Sequence, residues 1–306
     1  MRKILLSVLL IFPFQFIFSQ PDDLAKMLEE ELASESTTDY ATASFKTTRL
    51  VNAHTNENVG RGVMDMRISH RFGPMNSGIK NFFGLDQATM RVALEYGLTD
   101  WLMIGGGRST YEKTYDSFLK AKILRQSTGK RKMPISVSYL SAIQTKTIPF
   151  PDQDRTNFFT SNMFFVNQII IARKFSEGVS IMISPTVVHR NLVPTVNDPH
   201  DLFSIVMGGR VKITKRMSVN LEYIYQLPDT KPAESVNSLS IGFDLETGGH
   251  VFQFAFTNSQ AQIEKAFIHE TRGSWSAGDI ISGFNLSRVF TLKDPRSKNK
   301  EAKKEW

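Results

Sequence analysis

Charged side chains recur at every second position of several apolar stretches, and that spacing limits the chemistry open to this chain. Asp65 and Arg67 interleave Met64, Met66 and Ile68; Arg91 and Glu95 interleave Met90, Val92, Leu94 and Tyr96; Lys120 and Lys122 interleave Leu119, Ala121 and Ile123. Arg210 and Lys212 flank Val211, Glu222 separates Leu221 from Tyr223, and Asp244 follows Phe243. Arg71, Arg108 and Asp116 are assigned to the same parity, as are Lys146, Arg190 and Glu246. In an extended chain alternate side chains leave opposite faces, so each stretch has one apolar face and one ionic face. Facing a shared interior, the ionic faces would bind or steer ions, with cations in excess.

Other candidates for chemistry are weaker. Gly105-Gly106-Gly107 is followed by Arg108 and Ser109 rather than Lys-Ser or Lys-Thr, so it is no phosphate-cradling loop. It reads as a thin strand that lets another backbone approach. His54, His70, His189, His200, His250 and His269 form no pair at metal-ligand spacing on one element, so no metal site and no cofactor is assigned. His189 and Ser161 fall on neighbouring predicted strands with both on the outward parity, the arrangement a barrel hydrolase would use. An interfacial histidine near a serine is far commoner than a catalytic pair, and no catalytic residue is assigned.

The elements that would position the ionic faces follow from the rest of the 306 residues. Arg2 and Lys3, an apolar run from Ile4 to Phe18 and then Ser19-Gln20 read as a secretory signal peptide cleaved after Ser19. The run is too short for a spanning helix, which needs about 20 apolar residues. With no cysteine the chain is neither a lipidated lipoprotein nor a disulfide-stapled domain. The formal charge of +7 loses two with Arg2 and Lys3, and the remaining cations form no basic stripe, which argues against nucleic acid as a partner. The last residues mix Lys298, Lys300, Lys303 and Lys304 with Glu301 and Glu305, a solvated tail.

From Pro21 to about Glu35 the spacing of Leu24, Met27, Leu28 and Leu32 is helical, with Asp22 and Asp23 at its start. After Phe45 the period falls to two. Twelve strands are predicted, at 62–72, 88–98, 101–109, 114–125, 132–146, 158–174, 178–190, 201–214, 216–227, 236–246, 249–258 and 280–292. Every second connection is short, and the others, apart from 110–113, are longer. Alternation alone also fits a soluble sandwich, but short turns on one rim and long loops on the other mark an outer-membrane barrel.

The expected fold is therefore all-β, a transmembrane antiparallel up-and-down barrel over 62–292. A signal peptide at 1–19, a periplasmic acidic helix and linker or plug at 20–61, and a charged tail at 293–306 flank it. Phe45 to Val51 looks strand-like but falls outside the count, and three placements are open to it: in the lumen, at the seam, or in the periplasm.

Phe45-Lys-Thr-Thr-Arg-Leu-Val-Asn52, Met66-Arg-Ile-Ser-His-Arg-Phe-Gly73 and Phe83-Gly-Leu-Asp-Gln-Ala-Thr-Met-Arg91 resemble a Gram-negative barrel family, domain of unknown function 5777. Tyr96-Gly-Leu-Thr-Asp100, Asn258-Ser-Gln260 and Asn285-Leu-Ser-Arg-Val-Phe290 are similar to the same family. The resemblance runs over most of the mature chain and implies fold and membrane location; it carries no catalytic residue.

Two functions remain open. The first is passive passage of small solutes with slight anion preference; the second is a non-conducting barrel, its lumen plugged by mixed charges, acting as a scaffold for periplasmic or surface partners. Lipid of the outer membrane is the expected surroundings in both. Single cysteines introduced at Ser77 or Asn197 should react with an impermeant thiol reagent on whole cells, and one at Ser127 only after the outer membrane is opened. The reverse pattern would overturn the strand count.

Overall fold

The computed structural model describes residues 25–30, 37–150, 152–154 and 156–293. The predicted signal peptide and the tail from 294 lie outside the described residues, as does most of the predicted 21–35 helix. Residues 25–30 are helical (α1), with Met27 and Leu28 exposed.

Where the sequence alternates, the chain is extended. Two short strands, β1 (Thr38–Tyr40) and β6 (Ser127–Gly129), form a separate ribbon. The others close into an antiparallel barrel of twelve strands. They are β2 (Val63–Pro74), β3 (Ala88–Gly97), β4 (Leu102–Ser109), β5 (Tyr115–Leu124), β7 (Ser136–Thr145) and β8 (Met163–Lys174), then β9 (Val179–Arg190), β10 (Asp201–Lys212), β11 (Met217–Gln226), β12 (Ser238–Thr247), β13 (His250–Thr257) and β14 (Ile281–Thr291). Each strand pairs with its sequence neighbour in the barrel, and β14 closes on β2 from Thr291↔Val63 to Ile281↔Pro74 with a single irregularity between Ile281 and Gly283. Closure leaves no edge, so the ladder supplies partners for backbone N–H and C=O groups along the whole circumference.

The distribution of polarity is inverted relative to a soluble sandwich. On β3 the apolar Met90 and Leu94 are 39% and 51% exposed, whereas Arg91 and Glu95 are 2% and 0% exposed. Large apolar side chains on the outside and ions within suit a hydrocarbon exterior. The short connections at 98–101, 175–178, 213–216 and 248–249 share one rim with the longer 125–135 connection that carries β6, and the other rim holds the remaining long connections and the tight one at 110–114. Val63 and Thr291 pair, so the barrel begins and ends at the short-turn rim.

The interior is filled by two segments that periodicity did not reveal. Residues 41–62 enter from the short-turn rim as a bent hairpin, anchored by Ala41 N–H to Gln126 O (2.8 Å) and closed at its tip by Leu50 N–H to Ala53 O (2.8 Å). Of the three placements open to Phe45–Val51, the lumen is the one adopted: Phe45, Leu50, Val51 and Ala53 are buried. From the opposite rim the β13–β14 connection dips inward and carries a helix, α2 (Glu264–His269), all of whose residues are buried. Phe45, Leu50, Phe267 and Ile268 pack with the wall residues Met103, Phe118, Leu140, Val166 and Ile224 in one core. Burying such a side chain contributes about 1.5–3 kcal/mol, so the two inserts are held by more than their ions.

Glycine on the inner face makes room for this packing. A side chain at Gly105 would overlap the Phe118 ring, and one at Gly208 would overlap the tip residue Leu50. The thin strand at Gly105 thus admits an aromatic ring from within, rather than the second backbone expected of it.

Ser127 is buried as the first residue of β6, paired with Tyr40, so the topology test at this rim is better read at Glu177, whose side chain is 88% exposed. Leu94→Arg should cost about 2–4 kcal/mol if the site lies near the bilayer midplane. A reversible folding titration into lipid measures this, and a cost near zero would place Leu94 away from hydrocarbon.

Candidate functional site: the occupied lumen

The tip of the 41–62 hairpin is seated on one carboxylate. The successive backbone N–H groups of Val51, Asn52 and Ala53 donate to Glu222 Oε2 at 3.1, 3.0 and 2.9 Å, and Asn52 Nδ2 donates to Glu222 Oε1 at 3.2 Å. The tight turn aims three amides in one direction, which makes an anion nest. Glu222 is fully buried on β11 and the turn neutralises it without a cation. Arg71 Nη2 donates to Asn52 Oδ1 (2.8 Å) and Gln253 Nε2 to Leu50 O (2.6 Å), so three sides of the wall grip the same turn.

The legs of the hairpin meet the remaining cations of the wall. Lys120 Nζ donates to the carbonyl oxygens of Thr55 (3.0 Å) and Glu57 (2.5 Å), and Arg210 Nη1 to those of Ala43 and Ser44 (3.3 Å each). Lys46 pairs with Glu246, and Lys122 lies 3.9 Å from Glu57. Thr48 donates to Glu95, and Arg67 donates to Thr48 Oγ1 (3.3 Å).

The two inserts touch at Glu264 of α2. Arg49 Nη1 donates to Glu264 Oε1 at 2.7 Å, Gln144 of β7 donates to the other oxygen, and His54 Nε2 lies 3.2 Å from Oε1. Arg49 Nη2, Arg67 Nε and His54 Nδ1 are buried with no hydrogen-bond partner among the described residues, as are Arg71 Nε and Arg210 Nε along the hairpin. Each such atom costs about 1–3 kcal/mol, so the contact between the two inserts is imperfectly satisfied.

Other charges are settled within the wall. Arg91 grips Asp116 with two bonds, Nε to Oδ1 at 2.9 Å and Nη2 to Oδ2 at 2.5 Å, bridging β3 and β5 across the glycines of β4. Asp65 accepts from Ser287 (2.7 Å), and Asp244 accepts from Ser218 (3.0 Å), Asn220 (2.8 Å) and Gln253 (2.6 Å).

Asp65, Arg67, Arg71, Arg91, Glu95, Asp116, Lys120, Lys122, Arg210, Lys212, Glu222 and Asp244 lie on the inner parity of their strands. Arg108 does not. It is paired across strands with the outward Val92 and Tyr115, is exposed, and lies over the Tyr115 ring at 5.6 Å. Three glycines precede it and mark no face, so its charge alone suggested the lumen. Ser161 and His189 are not brought together as a catalytic pair: Ser161 sits in the turn Phe159–Asn162 before β8, and His189 pairs with Asp201 (2.8 Å) opposite Phe165. Among the described residues no three His, Asp or Glu side chains gather as metal ligands would.

Arg49, His54 and Glu264 escaped the sequence reading, because they sit on segments without periodicity. The signal in the sequence was the strand-like Phe45–Val51 stretch, within the 20–61 segment read as linker or plug, with the lumen one of three placements open to it.

No curated protein matches the chain. Among solved structures, the NanC porin in a rhombohedral crystal form aligns with a TM-score of 0.46 and 7% identity, covering 74% of this chain and 98% of the porin. The KdgM porin aligns with a TM-score of 0.45 and 7% identity, covering 74% and 99%. The family described as a membrane bound beta barrel domain, DUF5777, matches residues 45–290, a span that takes in most of the 41–62 hairpin, the α2 insert and the wall up to Phe290. This chain belongs to the DUF5777 family of membrane-bound β-barrels.

Proposed function

We propose that this protein is an outer-membrane channel for small solutes whose own chain holds it shut. It is exported by the signal peptide at 1–19, with the short-turn rim in the periplasm and the long loops outside. The observation that carries the reading is the junction in the lumen: two inserts from opposite rims meet at Arg49 and Glu264 through one good ion pair beside several buried polar atoms without partners. A structural core gains nothing from leaving such atoms unpaired. A gate does, because it must part there at moderate cost.

Opening also decides selectivity. Withdrawal of the hairpin would free five cations, Arg67, Arg71, Lys120, Lys122 and Arg210, from the partners it supplies, against four carboxylates, Glu95, Glu222, Glu246 and Glu264. Asp65, Asp116 and Asp244 keep their wall partners. The freed excess is cationic, so the open path should favour anions.

The second reading is a non-conducting barrel that presents its rims, or the exposed Met27 and Leu28 of α1, to a protein partner. It is favoured by the apolar packing of Phe45, Leu50, Phe267 and Ile268 into the wall.

Planar-bilayer recordings of the full chain and of the Arg49→Ala/Glu222→Gln double variant separate the readings. The wild type should be closed most of the time, and the variant should open at least about tenfold more often, the shift that about 1.4 kcal/mol of lost closed-state contact produces. In a KCl gradient at low salt, where the Debye length is about 30 Å at 0.01 M, the zero-current potential of the variant should have the sign of anion preference. Silence of both proteins would favour the non-conducting barrel, and a wild type as open as the variant would end the plug reading. A cation-selective variant would show that the freed arginines and Lys120 do not set the path.

Within the wall, Arg91→Leu should destabilise the barrel by about 3–5 kcal/mol, because it strands Asp116 away from water. Arg91→Leu/Asp116→Leu should recover most of that loss. Urea titration of the lipid-folded protein checks both, and an equal cost for the single and double variants would show that the pair is not coupled.

A further inference from the structure

Lys265, the second residue of α2, is 1% exposed, and its ammonium sits in a cage built for a cation. Its Nζ donates to both Glu270 carboxylate oxygens at 2.9 Å and to Glu112 Oε2. It lies 4.6 Å from the centroid of the Phe164 ring and 5.5 Å from that of Tyr111. Lys146 stands at the edge of the same group, 4.0 Å from Glu112 Oε1 and 6.0 Å from the Phe164 ring. Carboxylates for the N–H bonds and ring faces for the remaining charge are what a desolvated ammonium needs.

The cage opens onto a cavity of about 360 Å³ at the long-loop rim. Tyr111 and Glu270 belong to both, and Asn258, Ser259, Gln260, Asp279 and Arg272 make up the rest of the polar lining, Arg272 being largely exposed and turned to Glu234 at 3.0 Å. Asp279 accepts from Ser274 N–H and Asn76, which holds its carboxyl below the usual range. A solute in this cavity is therefore adjacent to the ion pair that pins the outer insert.

We propose that the long-loop mouth is a binding site for small primary alkylammonium compounds, occupied in this closed conformation by the protein's own Lys265. A primary ammonium from solution offers the same three N–H donors and can replace Lys265 on Glu270 and Glu112. A quaternary ammonium keeps the ring contacts and loses the hydrogen bonds, and a neutral alcohol lacks the charge. Displacement of Lys265 loosens α2, which would couple external amine to the gate; this coupling rests on the channel reading, whereas the binding does not.

Isothermal titration of the full-length, lipid-folded protein with n-butylammonium chloride at fixed ionic strength tests the site. Lys265→Met removes the internal competitor and should raise butylammonium affinity about tenfold or more. Glu270→Gln in that background should abolish the gain, and tetramethylammonium or butanol should show none. An unchanged affinity in Lys265→Met, a gain that survives Glu270→Gln, or equal binding of tetramethylammonium would overturn the site. The wild type supplies a second readout that needs no variant to fold: hydrogen exchange of residues 264–269 should quicken with saturating butylammonium and not with tetramethylammonium. Unaltered exchange would refute displacement of Lys265. No arm uses conductance, so a silent bilayer recording bears on the channel reading alone.

Discussion

A barrel with its leucines outside and its guanidiniums and carboxylates inside must find partners for those ions without bulk water. The cost of leaving an ion unpaired in such an interior is several kcal/mol, and it governs nearly everything seen in the lumen. Part of the demand is met locally: Arg91 holds Asp116 across β4, and Asp244 collects three donors from its own and neighbouring strands. The remainder cannot be met by the wall. Glu222, Lys120, Arg210 and Arg71 reach for groups that only another segment can supply, and residues 41–62 supply them largely from the backbone.

Backbone is a suitable counter-group here. A hairpin whose turn aims three N–H groups at Glu222 and whose legs turn carbonyl oxygens towards Lys120 and Arg210 gives hydrogen-bond partners to charges of both signs with one short stretch of chain. It also needs space, and Gly208 on the inner face of β10 provides it for Leu50.

The two inserts differ in how they are held. The hairpin is gripped along its length by ions of the wall, while α2 is pinned at its first turn, by Glu264 towards Arg49 and by Lys265 towards Glu112 and Glu270. Between them lies a junction where buried nitrogen atoms go without partners. Under the proposed channel reading the inserts would part at this junction rather than draw through the apolar core of Phe118, Leu140 and Phe267.

The sequence by itself determined the wall. An alternating pattern specifies which face of each strand is greasy, turn lengths specify which rim is which, and the number of strands follows from counting them; all twelve strands, and the inward placement of residues from Asp65 to Asp244, were legible this way. Arg108 was misplaced where three glycines erased the alternation. What filled the barrel was decided only by the tertiary structure, because the contacts that hold Phe45–Ala53 and Glu264–His269 join residues far apart in sequence, Arg49 with Glu264 and Asn52 with Glu222. Periodicity records how a segment meets a continuous surface on one side. A segment surrounded by wall on every side has no such surface to record, so its place is written in single contacts that appear only when the sheet has closed.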